Sequence, residues 1–158
     1  MTEFYDRDGI YISDRIKPGA DLSGADLPRA NLALADLDDA NLSAANLNRA
    51  NLSGANLSGA KLSDAILLRA DLTKANLSYA NLTKANLIFA DLIYADLIYA
   101  DLTDANLARA DLTKANLSYA NLTKANLTDA NLSAVIGWDT VKGKDTIIGL
   151  DKATGVPD

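Results

Sequence analysis

The chain has 158 residues, 49% of them hydrophobic, which suits one domain with a substantial core. Its net charge of −6 argues against unspecific binding to a nucleic-acid backbone, because that binding needs an excess of Lys and Arg. The sequence contains neither cysteine nor histidine, which excludes disulfides and removes the commonest general base and metal ligand.

The N-terminal segment, residues 1–19, follows no repeat, and Pro18 and Gly19 mark a break before the regular part of the chain. The segment lacks the basic start and apolar run of a secretory signal peptide. No apolar stretch of the chain is long enough to span a membrane. We therefore expect an N-terminal cap in residues 1–19 and a cytoplasmic protein with no membrane contact.

A five-residue repeat, A-(D/N)-L-(S/T)-x, fills residues 20–134. Every fifth residue from 20 to 130 is Ala, and every fifth residue from 22 to 132 is Leu. Leucines five apart would spread around an α-helix, and on a flat strand they would alternate between the two faces. A chain that bends once in each repeat turns every Ala and Leu inward. The repeat therefore predicts an all-β solenoid with leucine along its axis.

The number of repeats in each coil follows from a longer duplication. Residues 69–87 recur identically as residues 109–127, an offset of 40 that fits coils of 20 residues but not coils of 15. The same period of 20 aligns four arginines in one column, Arg29, Arg49, Arg69 and Arg109. We therefore predict four repeats in each coil, nearly six coils, and a rod about 28 Å long at the usual strand spacing of about 4.8 Å.

The polar positions of the repeat are expected to serve the turns, because short Asp, Asn, Ser and Thr side chains bond nearby backbone groups. Asp71, Asp91 and Asp111 share a column that could be interpreted as a cation site, but such a site needs converging ligands and not a ladder. A column of hydroxyls could also be interpreted as an ice-binding array. The mixture of Ser and Thr beside the bends favours turn bonding.

One coil replaces its hydroxyls by large apolar side chains. These residues cannot enter a core that leucine already fills, so we expect them outside, with one apolar neighbour in the coil below. We call this set the apolar girdle: Leu68, Ile88, Phe89, Ile93, Tyr94, Ile98 and Tyr99. Two hypotheses remain open: the side chains stack on neighbouring coils, or they bind a protein partner or a second copy of the chain.

The C-terminal segment, residues 135–158, departs from the repeat, because Val135 and Gly137 stand where Ala and Leu are due. We expect the inward pattern to end there. Solenoids need atypical terminal segments to cover an open edge and an exposed core, which favours a C-terminal cap. A dimerisation element is the alternative, so monomer and homodimer both stay open.

The 23 uninterrupted copies of the repeat resemble the pentapeptide-repeat family over residues 20–134. The resemblance implies a right-handed quadrilateral β-helix with the Leu position at its centre, and the handedness rests on the resemblance alone. It also implies a range of functions: some members protect DNA gyrase by resembling DNA, and others act as structural or interaction modules. The invariance of the repeat further suggests recent duplication or a designed consensus scaffold.

An enzyme is the class that the sequence supports least. No triad, phosphate-binding loop or metal-ligand spacing occurs, and we expect no catalytic, cofactor-binding or metal residues. The prediction is a non-enzymatic structural or protein-interaction solenoid. The alternative is a DNA mimic that binds a type II topoisomerase such as gyrase.

Overall fold

The computed structural model describes residues 12–157, so most of the predicted N-terminal cap lies outside the described residues. Over the repeats the chain forms parallel one-residue β-bridges between residues 20 apart, from Asp21 with Asn41 to Asn116 with Ile136. Each bridge lies at the Asp/Asn position of the repeat. Sides of five residues with a pairing offset of 20 wind the chain into a four-sided coil.

Backbone hydrogen bonds join each coil to the next in both directions. The Leu52 N–H donates to the Asp71 carbonyl at 2.7 Å, and the Asn51 N–H donates to the Ala30 carbonyl at 2.9 Å. The buried backbone groups of the repeats therefore find partners in neighbouring coils. Stability consequently depends on contacts between adjacent coils, as in other solenoids.

A tight turn closes every corner. In a representative corner the Ala50 N–H donates to the Leu47 carbonyl at 3.0 Å, and Arg49 before it adopts a left-handed φ of 58°. The fifth position of the repeat has this backbone throughout, mostly with residues other than glycine. This conformation costs an L-residue about 1 kcal/mol or more, so the corners are held by the inter-coil bonds around them.

The core consists of the Ala and Leu positions. Every repeat leucine from Leu32 to Leu132 is fully buried, and the repeat alanines from Ala30 to Ala130 are at most 1% exposed. Each leucine contributes roughly 1.5–3 kcal/mol as an upper estimate. At the N-terminal end, Ile12 and Ile16 flank the short helix η1 (Ser13–Arg15) and are buried with the core.

The inward pattern does not end at Val135, contrary to our expectation. Beyond residue 134 the winding continues with sides of six residues, because the pairing offset grows by one at each side: Asn116 with Ile136, Asn121 with Lys142, Asn126 with Ile148, and Asn131 with Thr154. Val135 and Val141 are buried, while Ile147 and Ala153 pack against the core. These four residues prolong the alanine columns.

Each of the first three six-residue sides contains a short 3-10 helix that follows a left-handed glycine: η2 (Trp138–Thr140), η3 (Lys144–Thr146) and η4 (Leu150–Lys152). The glycine is required because its backbone lies against the coil below. A Cβ on Gly143 would stand 2.6 Å from the Cα of Thr123. In residues 12–157 no helix is long and apolar enough to cross a membrane.

Side chains of this last coil pack against the core at its C-terminal end. Trp138 is 7% exposed, and Leu150 and Val156 are partly buried against the core. The Lys144 Nζ lies 5.9 Å from the centre of the Trp138 ring and donates to the Trp138 carbonyl at 3.2 Å. The role of this segment as a cap on the solenoid remains a prediction.

Hydroxyl groups replace backbone carbonyls at two corners of the last coil. The Lys124 N–H donates to the Thr146 Oγ1 at 2.9 Å, and that hydroxyl donates to the Gly143 carbonyl at 2.7 Å. Thr140 makes the same two bonds with Tyr119 and Gly137. The extra residue of each side moves the carbonyl away, and threonine supplies the missing acceptor.

Candidate interaction surface

The three isoleucines of the apolar girdle lie on successive sides of one coil and are half-buried. Their N–H groups make the same turn bond as elsewhere: the Ile93 N–H donates to the Asp91 Oδ1 at 3.0 Å. At this position Ser118 also donates its hydroxyl to the Asn116 Oδ1, at 2.7 Å. An isoleucine therefore gives up a hydroxyl bond and adds apolar surface in its place.

Tyr99 lies inside an aromatic stack along one corner of the rod. Its ring centre is 5.2 Å from that of Tyr79 and 4.8 Å from that of Tyr119, with nearly parallel planes. The spacing equals the height of one coil, which places stacked rings within the range of favourable aromatic pairs. Both faces of the Tyr99 ring are covered, and its edge reaches solvent.

Phe89 occupies the gap in the arginine column. The guanidinium of Arg69 lies 5.1 Å from the ring centre on one side, and that of Arg109 lies 5.4 Å away on the other. Both distances are within the range of a cation–π contact. Phe89 is nevertheless 41% exposed, because its edge points away from the rod.

Tyr94 stacks with one lysine of its column. The Lys114 Nζ lies 5.0 Å from the ring centre and donates a hydrogen bond to the Tyr94 hydroxyl at 2.8 Å. That hydrogen bond, with the positive charges of Lys114 and Lys74, lowers the pKa of Tyr94 below its usual 10.0. Lys74, one coil below Tyr94, acts on the ring hydroxyl through its charge.

Leu68 stands one coil below Ile88 and is half-buried like it. The same column continues downward with Asn48, whose side-chain Oδ1 is buried and has no hydrogen-bond partner. Sequence reasoning missed one member of this patch. Ile66, 41% exposed, replaces the usual Asp or Asn two residues before Leu68, and that departure from the repeat was the available signal.

The girdle combines features of both sequence-based hypotheses. The ring faces of Phe89, Tyr94 and Tyr99 contact neighbouring rungs of the same chain, as the stacking hypothesis requires. The same rings remain 41–50% exposed, and the isoleucines beside them add apolar surface on the same three sides, with Asp91 and Asp96 between the pairs. A role in docking remains a prediction.

The polar columns serve the turns. The carboxylate of Asp111 accepts the Thr113 N–H at 2.9 Å, and Asp71 and Asp91 make equivalent bonds. In the hydroxyl column that could be interpreted as an ice-binding array, the threonines bond within their own turns, as Thr123 does to Asn121 at 2.6 Å, whereas Ser63 donates to Ser43 of the coil below at 3.3 Å. Within residues 12–157 no group of acidic side chains could hold a metal ion.

Known proteins share both the repeat and the fold. The family model for pentapeptide repeats matches residues 19–54, 50–88, 70–107 and 90–129. No curated protein sequence matches the chain. HetL, a pentapeptide repeat protein involved in heterocyst differentiation regulation in the cyanobacterium Nostoc sp. strain PCC 7120, is 37% identical over 85% of this chain, with a TM-score of 0.43. The match covers 65% of HetL, less than two thirds of its length.

Two further solved structures are similar. Rfr23 from the cyanobacterium Cyanothece 51142 is 30% identical over 84% of this chain and 90% of its own, with a TM-score of 0.39. A trypsin-treated variant of QnrB1, a plasmid-mediated fluoroquinolone resistance protein, is 24% identical over 78% of this chain and 77% of its own, with a TM-score of 0.55. The match to QnrB1 shows the fold alone. Together with the family model it implies a right-handed quadrilateral β-helix.

Proposed function

Because the chain belongs to the pentapeptide-repeat family, we propose that it is a non-enzymatic scaffold that binds another protein chain through the apolar girdle. One observation supports this function above the others: three half-buried isoleucines and three exposed aromatic edges occupy one level of the rod on three successive sides. In most of the other repeats the fourth position, which the isoleucines occupy here, holds a polar residue. Extended exposed apolar surface is a common mark of protein docking.

The test replaces the isoleucines by serine, a residue that the repeat commonly uses at this position in other coils. The variant Ile88→Ser, Ile93→Ser and Ile98→Ser keeps the turn geometry, because serine makes the same turn bonds at this position. The matched control combines Ala108→Ser with Thr113→Ser. With Ser118, these changes place serine at all three equivalent positions of the coil above, and no residue of the girdle is replaced.

Size-exclusion chromatography with light scattering is the first measurement. A wild-type oligomer that becomes monomeric in the triple variant, but not in the control, would make the girdle a self-association surface. If the wild type is a monomer, a foreign partner must bind it, and the triple variant must lose that partner while the control retains it. Binding of the foreign partner is measured by pull-down. The proposal fails if the triple variant and the control have the same oligomeric state and also retain the partner equally.

DNA mimicry is the alternative function, and the likeness to QnrB1 supports it only at the level of the fold. Residues 20–134 carry 13 Asp and 9 Lys or Arg, a net charge of −4. A DNA duplex as long as the predicted rod, about 28 Å, carries roughly 16 negative charges. The arginine column opposes mimicry further. A gyrase supercoiling assay tests the alternative directly, since a mimic would protect or inhibit the enzyme.

The proposal extends to the architecture of the rod. Nearly six coils of repeats, residues 20–134, would lie between an N-terminal cap in residues 1–19 and a C-terminal cap in residues 135–158. The buried Ile12 and Ile16 at one end and the six-residue sides at the other support the two caps. Deleting residues 135–158 should expose the leucine column and cause aggregation, whereas a dimerisation element could be removed without harm to the monomer.

A further inference from the structure

We propose that Tyr79, Gly59 and Asp39 form a binding site for an arginine side chain of a partner protein. The guanidinium would lie at the level of Gly59, beneath the free face of the Tyr79 ring and with one edge against the Asp39 carboxylate. This site lies below the apolar girdle, and the inference does not depend on docking at the girdle.

The site lies at the lower end of the tyrosine stack. One corner column contains, from the N-terminal side, Asp39, Gly59, Tyr79, Tyr99 and Tyr119. The rings are 4.8–5.2 Å apart, so each residue of the column occupies one coil height. Gly59 has no side chain, and its level therefore interrupts the column between an aromatic ring and a carboxylate.

The exposure of the rings shows that the lower face of Tyr79 is uncovered. Tyr99 and Tyr119 are 47% and 48% exposed, whereas Tyr79 is 64% exposed. The structure thus presents one ring face to solvent directly above Gly59. A free aromatic face with a coil-height gap beneath it fits one planar group.

The Asp39 carboxylate gives the gap its charge preference. Its Oδ1 reaches the space where a Cβ on residue 59 would stand, so the carboxylate occupies the inner part of the Gly59 level and leaves the space under the Tyr79 ring open. Within residues 12–157 the side chain of Asp39 has no ion pair, and Arg109 with Asp129 is the salt bridge found there. Asp36 and Asp38 on the same side add negative charge. A cation is therefore favoured in the gap.

The chain already contains contacts of the kind proposed here, between an arginine guanidinium and an aromatic ring one coil away. Two corners away, on the opposite edge of the four-sided rod, the guanidiniums of Arg69 and Arg109 lie one level below and one level above the Phe89 ring, at 5.1 and 5.4 Å. The coil height therefore suits a guanidinium against an aromatic ring. A planar guanidinium can also pair with a carboxylate along its edge, which an ammonium does less well, so arginine is favoured over lysine.

The experiment titrates the full chain with N-acetyl-L-arginine amide and follows the ring signals of the tyrosines by NMR. N-acetyl-L-lysine amide at the same ionic strength serves as the comparison probe. We expect saturable shifts centred on Tyr79, and weaker ones with the lysine probe. Asp39→Asn should weaken arginine binding about two- to fivefold, the effect of one exposed ion pair.

Two glycine substitutions separate filling of the gap from general effects of an added charge. Gly59→Arg should fill the level from within the chain and abolish the response of Tyr79. The backbone allows this, because Arg49 and Arg69 adopt the same left-handed φ at their corners, and the flexible Asp39 side chain must turn aside to make room for the new Cβ. Gly54→Arg adds an arginine at the neighbouring corner of the same coil, where φ is also left-handed, and should leave the response unchanged.

The inference is wrong if all three stacked tyrosines respond equally, if the lysine probe matches the arginine probe, or if Gly59→Arg responds like the wild type. None of these results bears on the isoleucine variant of the girdle, so the two proposals can fail separately.

Discussion

The glycines of the last coil provide the sharpest test of how the six-residue sides pack. Gly143 and Gly24 both adopt a left-handed φ, 75° and 64°. A Cβ on Gly24 would meet nothing within 4 Å, whereas a Cβ on Gly143 would stand 2.6 Å from the Cα and 2.7 Å from the backbone N of Thr123. Substitution by alanine therefore strains the backbone at both sites but produces a collision at one.

The expected difference follows from these two contributions. The left-handed backbone costs alanine roughly 1 kcal/mol at either position. The collision at Gly143 involves backbone that inter-coil bonds hold, so it adds about 1–3 kcal/mol, as overpacking usually does. Gly143→Ala should consequently reduce the free energy of unfolding by that much more than Gly24→Ala.

Chemical denaturation measures the difference, with circular dichroism for the whole rod and fluorescence of Trp138 for the last coil. Trp138 is the single tryptophan and is buried, so its emission reports local opening. In Gly143→Ala the fluorescence transition should precede that of the rod. Equal effects of the two substitutions on both signals would refute the account of close packing at the glycine.

Three further predictions concern single side chains. Asn48→Leu should raise the free energy of unfolding by about 1 kcal/mol in denaturant titrations, because it removes a buried oxygen that has no partner. Thr146→Val should lower it by roughly 1–2 kcal/mol, since the Lys124 N–H loses its acceptor. Tyr94 should titrate below 10.0 by NMR, because the hydrogen bond and charge of Lys114 lower its pKa, and Lys114→Gln should reverse this. Stability should therefore rise with pH between the folded pKa and the unfolded value of about 10.

Each of these predictions has a matched control. Asn48→Asp puts a charge at the same buried place and should destabilise, so stabilisation by both substitutions would contradict the reasoning. Thr146→Ser keeps the hydroxyl and should behave like the wild type. Lys84→Gln removes a lysine of another column, and an equal change in the pKa of Tyr94 would rule out the contact with Lys114.

The repeat region could be predicted because one requirement recurs in every unit. Ala and Leu two residues apart must both point inward, and only a bend in each repeat achieves this over the whole of residues 20–134. The bridges between residues 20 apart follow the period that the duplication of residues 69–87 had indicated. Local chemistry and overall winding agree in this region, so the sequence pattern was sufficient.

The last coil could not be predicted from the five-residue pattern. Its six-residue sides replace the inward leucine by glycine. An apolar residue follows one position later in two of the first three sides, as Trp138 and Leu150, and Lys144 stands there in the other. The repetition V-I-G-W-D-T, V-K-G-K-D-T, I-I-G-L-D-K is visible in the sequence, but only three clear copies carry it. The repetition indicates six-residue sides only when the contact between the glycine backbone and the coil below is known.

The sequence by itself determined the solenoid, its coil length and its leucine axis, because the repeat imposes the same inward geometry on every five residues. The tertiary structure alone decided which outward side chains meet across coils. Stacking places Phe89 between two arginines, covers both faces of Tyr99 and leaves one face of Tyr79 open above Gly59. These contacts join residues 20 apart in the chain, and whether a ring face is covered depends on the side chain one coil away.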